Sequence, residues 1–275
     1  MNWNRILLHD LRRGILRKRL LIPCIQFMLL YLFYWLGRRG MYGSLSPADY
    51  LFYAFSGIPR VDVFRADSFH LPTIWLQIMA CPLYLNLSYP LSDLTKEGEQ
   101  ILVRSGSRVR WFLSKCVWNL SSSFTYVAIA AAAAFIMSAV TGGPLTMTCN
   151  PNLVAMKADL PLNHNITGFA SFLALLILPL LTISALNMLQ MVLSFFVKPI
   201  YSFLFCMTVI VASIWGVTPV LLGNGTMVLR NGTFFAGGLS PVGSAVIALM
   251  VILCSIPAGV WKFQKYDVLP TMERE

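Results

Sequence analysis

SDLTKEGEQILVRSGSRVRWFLSKCVWNLSSSFTYVAIAAAAAFIMSAV, residues 92–140, joins two unlike halves. From Cys116 to Val140 there is no Asp, Glu, Lys or Arg over 25 residues. A helix needs about 20 apolar residues to cross the hydrocarbon of a bilayer, so this half is a membrane span. Its five consecutive alanines, 130 to 134, predict a face on which another helix approaches closely. The half before it carries Lys96, Glu97, Glu99, Arg104, Arg108, Arg110 and Lys115 around the turn Ser105-Gly106-Ser107. An oily helix entered through a charged interval sets the fold class: an all-α integral membrane protein.

Composition agrees. Of 275 residues 57% are hydrophobic and 12% charged, with a mean hydropathy of +0.69. Soluble domains carry about 25% charged residues, so a water-soluble enzyme is excluded. The net charge of +10 does not imply nucleic acid. Lys and Arg gather on cytoplasmic loops and meet anionic headgroups there, which makes membrane lipid the expected partner. Six cysteines are scattered without metal-ligand spacing, and five lie in or beside apolar runs as small hydrophobes. No internal disulfide is expected. Nor is a cleavable signal peptide, because the first 19 residues are basic and lack an apolar core.

Taken in order, residues 1–19 predict an amphipathic connecting helix. Trp3, Leu7, Leu11 and Ile15 recur every fourth residue, with Ile6 beside them and Arg5, Arg12, Arg13, Arg17, Lys18 and Arg19 around the stripe. Such a helix lies in the headgroup layer, with Trp3 inserted and Arg12, Arg13 and Arg17 on phosphates. Residues 20–261 predict a six-span domain, with spans at about 20–36, 70–89, 116–140, 166–196, 200–222 and 242–261, and 262–275 a polar tail. Between the first two spans, SPADYLFYAFSG predicts a short interfacial helix with Ser46 as N-cap and Pro47 in its first position. Pro82 and Pro179 predict bends in the second and fourth spans. The glycine-rich run Gly223 to Pro241 is too short to cross and is expected to dip into the outer leaflet and return. With the N-terminus inside, fifteen of the 21 Lys and Arg fall on cytoplasmic segments and six outside. That asymmetry predicts a multi-pass protein of the cell membrane with both termini cytoplasmic.

Chemistry-bearing patterns are missing. There is no HExxH, no GxSxG and no GxxxxGK[ST], and His9, His70 and His164 are far apart. No catalytic residue, metal site or cofactor is expected in the chain. No Asp, Glu, Lys or Arg falls inside the six predicted spans, which argues against proton- or sodium-coupled transport. The spans do carry amides. Asn187 and Gln190 share a helix face and Asn86 lies on the second span, either as interhelical hydrogen bonds or as a polar patch along a cargo path.

Within the charged interval, Ser92 or Asp93 is placed to cap a helix with Glu97 in its first turn. Ile101, Leu102 and Val103 supply an apolar face, Gly106 ends the helix, and Ser107 caps a second one running into the third span. The sequence Glu97-Gly98, Ile101-Leu102-Val103, Ser105-Gly106, Ser107-Arg108 and Lys115 resembles the interval after the second span in bacterial type-2 ABC exporter permeases. The basic amphipathic start, the long outer loop, the dipping segment before the last span and Phe263-Gln264-Lys265-Tyr266-Asp267 are similar too. The resemblance implies a coupling helix that docks a separate cytosolic ATPase through Glu97, Gln100, Ile101, Leu102, Arg104 and Arg108. ATP and Mg would sit on that partner, a second permease copy or paralogue would complete the path, and the chain itself would not be an enzyme. An apolar or amphipathic cargo, such as a peptide, lantibiotic or drug, fits the absence of a large outer domain. The alternatives are a membrane anchor or regulator that transports nothing, and an integral membrane enzyme with an unfamiliar site.

Overall fold

A computed structural model describes residues 7–11, 20–38, 43–60, 70–87, 89, 93, 107–157, 161–163 and 166–265. Residues 7–11 form a helical turn. The elements that follow are α1 (Leu21–Arg38), α2 (Pro47–Phe55), α3 (Thr73–Asn86), α4 (Arg108–Val140), α5 (Pro151–Lys157), α6 (Gly168–Leu193), α7 (Pro199–Trp215) and α8 (Pro241–Gln264). Two 3-10 turns, Leu222–Thr226 and Val228–Arg230, lie between α7 and α8. Among the described residues there is no strand beyond isolated bridges such as Leu162 to Phe235. The protein is therefore all-α, and α1, α4, α6 and α8 are long and apolar enough to cross a membrane.

At 1.5 Å per residue, the 33 residues of α4 span about 50 Å, against a hydrocarbon layer of about 30 Å. The span was expected to begin near Cys116, with a helix capped by Ser107 running into it; the two are one helix that begins at Arg108, with Ser107 accepting from the Arg110 amide. Its first turns therefore extend the span out toward the charged interval as one rod. Two other helices are shorter than their sequence spans. The 14 residues of α3 start after Pro72, and α7 stops at Trp215, ahead of Gly216 and Pro219.

Pro82 and Pro179 each have a structural answer. Pro82 has no N–H to give the Ile78 carbonyl, and the Tyr126 hydroxyl of α4 donates to that carbonyl instead, at 2.9 Å. Ahead of Pro179, α6 widens into a π-helical turn over Leu173–Ile177, so the helix continues through the proline. The alanines of α4 pack as their size suggests: Ala130, Ala133 and Ala134 are buried, and the Ala130 carbonyl accepts from Tyr31 of α1 at 3.4 Å.

The capping of α2 is a reciprocal box. Ser46 accepts from the Asp49 amide while the Asp49 carboxylate accepts from the Ser46 amide. This helix is buried in the protein and does not lie on the interface: Tyr50, Leu51, Phe52 and Phe55 are all enclosed. Asp49 also accepts from the Asn150 amide at 2.8 Å, tying α2 to the loop that follows α4.

The first half of the glycine-rich segment after α7 is fully packed. Every residue from Leu222 to Arg230 is buried. A Cβ on Gly223 would stand 2.5 Å from the Ser213 hydroxyl, and one on Gly225 2.7 Å from that of Thr182. Only glycine lets this backbone approach α7 and α6 so closely. Its polar groups are met by protein, as non-helical chain among membrane helices requires: Asn224 donates to the carbonyls of Gly216 and Thr218, and Thr226 accepts from Trp75.

One close contact fixes α8 on α4. A Cβ on Gly259 would lie 2.1 Å from the ring of Phe112, which is itself fully buried. Gly259→Ala is expected to lower stability by about 1–3 kcal/mol, the usual cost of overpacking. Phe112→Leu should restore part of it, read as the shift in the midpoint of unfolding in detergent; equal midpoints for Gly259→Ala and the unaltered chain would remove this contact from the argument.

Candidate functional site

The charged interval leaves the membrane body through a buried ionic node. Lys115 lies on α4 two turns from its start, on the face that also presents Trp111, Trp118 and Asn119. Its side chain is 0% exposed. The ammonium is 2.6 Å from Asp10 Oδ1 and 2.6 Å from Asp93 Oδ2. Ser114 donates to the other oxygen of Asp10, and Tyr89 donates to Oδ1 at 3.3 Å. Aromatic faces close the rest: the ammonium is 4.8 Å from the Trp111 ring and 4.9 Å from the Tyr89 ring, within cation–π range. His9, partly exposed, stands 3.6 Å from Asp10.

A buried lysine is tolerated only when its charge is met. Two carboxylates meet it here, and they come from separate segments: Asp10 from the N-terminal turn, Asp93 from the entry to the charged interval. Lys115 belongs to the helix that leaves that interval. The node thus pins both ends of residues 94–106 to each other and to the N-terminal turn. Its ammonium is enclosed, and it ties the three segments together.

Beside the node an aromatic stack extends the attachment. Trp111 stacks on Phe263 of α8 with ring centres 4.7 Å apart, and Phe263 meets Phe195, just past α6, at 5.4 Å. Phe112 contacts both rings. Arg108, the first residue of α4, donates to the Gln264 carbonyl at the end of α8 at 2.8 Å. That cation at a helix C-terminus is favourably placed against the dipole. The start of α4 is thereby fastened to the ends of α6 and α8.

The amides lie deeper, between helices. Asn187 donates to Ser123 at 2.9 Å, and Asn119 donates to the Asn187 carbonyl at 3.1 Å, joining α6 to α4. Gln190 donates to the Leu83 carbonyl at 2.9 Å, joining α6 to α3, and Ser122 donates to Asn86 at 2.8 Å. Asn86, Asn187 and Gln190 are buried, each with a hydrogen bond to another helix, and each retains one side-chain atom without a protein partner.

Of the residues expected to dock an ATPase, Arg108 is described. Glu97, Gln100, Ile101, Leu102 and Arg104 lie outside the described residues, as do Trp3, Arg12, Arg13 and Arg17 of the expected interfacial helix. Lys115, which stood just outside the third span as read from the sequence, lies within α4 and is enclosed by protein. Asp10, Ser114 and Tyr89 were not singled out at all, and Asp93, read as a candidate helix cap, pairs with Lys115 instead. A signal existed for Asp10: it follows Trp3 by seven residues and Ile6 by four, so it lies on the apolar stripe. Lys115, with Trp111 four before and Trp118 three after, sits in the same kind of setting.

Four helices long and apolar enough to cross a membrane define an integral membrane protein. The chain belongs to the family described as "Protein of unknown function (DUF2705)", whose model matches residues 48–269. The match takes in Asp93, Lys115 and Arg230 and begins after α1 and Asp10. No curated protein matches the chain, and no solved structure does.

Proposed function

We propose that this protein is the transmembrane subunit of an ATP-driven exporter of the type-2 ABC class. It crosses the cell membrane six times, with α3 and α7 as the shorter spans, and keeps both termini and residues 92–115 in the cytoplasm. A separate cytosolic ATPase, carrying ATP and Mg, docks on the interval through Glu97, Gln100, Ile101, Leu102, Arg104 and Arg108. A second permease, identical or paralogous, completes the path for an amphipathic or apolar cargo such as a peptide, lantibiotic or drug.

The observation that carries this reading is the fastening of the interval's exit. Arg108 begins a helix that runs unbroken to Val140 and is tied by Arg108, Trp111 and Phe112 to α8 and to Phe195 after α6. Lys115 holds Asp93 on the entry side. A displacement applied between these points reaches three long helices as one body. Such a lever is what a two-state membrane part needs if a cytosolic partner is to bias its equilibrium.

The test is co-purification with a P-loop ATPase expressed in the same cell, followed by ATP hydrolysis with and without this subunit. Ile101→Asp and Arg108→Glu are each expected to weaken the association at least about tenfold, which corresponds to about 1.4 kcal/mol. Unchanged association in both variants, or no ATPase in the purified material, favours the anchor reading. Labelling of cysteines placed at residues 92–115 from the outer side would overturn the orientation.

A further inference from the structure

Between α6 and α8 lies an apolar cavity of about 220 Å³. One wall is the first half of α6, from Ala170 through Leu173, Ala174 and Ile177 to Leu181; the other is the start of α8, at Val242 and Ala245. A cavity of about 150 Å³ holds a benzene ring, so this space takes a longer hydrocarbon. Thr233 supplies a hydroxyl-bearing side chain to its lining, from the loop that precedes α8.

Three features say what fills it. First, both walls are helices long and apolar enough to cross a membrane. Phe169, Leu173, Val242 and Val246 beside the cavity are exposed on the protein surface, so the medium around them is acyl chain. Second, the cavity has the length of one leaflet. Ala170 to Leu181 covers twelve residues, whose eleven rises give about 16 Å along the helix axis, or half of a hydrocarbon layer of about 30 Å. It begins near the helix starts Gly168 and Pro241, so it opens into a single leaflet. Third, the wall is shaped: the π-helical turn Leu173–Ile177 forms its middle, and small residues, Ala170, Ala174 and Ala245, leave the space that larger side chains would occupy. π turns inside α-helices recur at functional sites.

We infer that this cavity is a binding site for one acyl chain of a bilayer phospholipid, taken from the leaflet that faces the N-terminal ends of α6 and α8. The chain lies along α6 across the π turn, with its ester end toward Thr233. Nothing in the inference depends on an ATPase partner.

The experiment uses the full-length protein in nanodiscs of phosphatidylcholine carrying a mid-chain diazirine. After irradiation, adducts are mapped by mass spectrometry. The expected result is a several-fold excess on residues 170–181 and 241–245 over the exposed stretch 200–205 of α7, which faces outward through Ile200, Tyr201, Leu204 and Phe205. Ala170→Phe and Ala245→Phe fill the space and should bring the excess down to the α7 level, while Leu204→Phe leaves it unchanged. Ala245→Leu, a smaller filling, serves if either phenylalanine variant fails to fold. Equal yields at both surfaces, or an excess that survives a folded filled variant, overturns the site. Because no partner enters the assay, loss of the exporter reading and loss of this site give separate results.

Discussion

Lys115→Met is expected to destabilise the protein by about 3–5 kcal/mol, the range for a buried ion pair that loses one partner. The variant keeps much of the volume and leaves Asp10 and Asp93 enclosed, with Ser114 and Tyr89 as the remaining donors near Asp10. An exposed pair would be worth at most about 1 kcal/mol; full burial of Lys115 decides between the two scales. The single changes Asp10→Asn and Asp93→Asn should each cost less, because the ammonium keeps the other carboxylate. Adding both to Lys115→Met removes the stranded charges and should recover much of the loss. Unfolding midpoints of the single, double and triple variants, in one detergent, measure these couplings. A Lys115→Met variant within about 1 kcal/mol of the unaltered chain would mean that the node is open to water.

The node also explains where sequence reading succeeds and where it stops. Helix class and the course of α4, α6 and α8 follow from apolar runs too long for anything but a span. The cap of α2 follows from Ser46, Pro47 and Asp49, which act within three residues of one another. Burial does not follow in the same way. That α2 is enclosed depends on α1 and on the loop after α4 reaching over it, and those are contacts between distant parts of the chain. The Lys115 node is the same case: three charges separated by 22 to 105 residues look like loop charges until folding puts them together. Asp10 on an apolar stripe and Lys115 between tryptophans are the local traces of it. Each trace alone also suits a side chain that reaches for the headgroups.

Arg230→Met is expected to loosen the opposite end of the bundle by about 3 kcal/mol or more. Arg230 is buried and uses its guanidinium as a hub. Nε donates to Ile58 at 3.0 Å, Nη1 to Ser213 and to Asn224 Oδ1, and Nη2 to Ile214 at 2.6 Å and Pro59 at 3.3 Å. Five donors thus meet five acceptors, none of them a carboxylate. Two acceptors are carbonyls from the last turn of α7, where a cation is favoured by the dipole. Burial lowers the pKa of Arg230 to about 10, so it stays charged at neutral pH. Methionine would strand the carbonyls of Ser213, Ile214 and Ile58, and each buried unsatisfied group costs about 1–3 kcal/mol. Arg230→Lys should recover only part, because a single ammonium lacks the planar fork that reaches both sides. The loss should be local as well as global: amide exchange over Leu222–Arg230 is expected to speed up before that of α6. Unchanged exchange there in Arg230→Met would show that glycine packing against Ser213 and Thr182 holds the segment without the arginine.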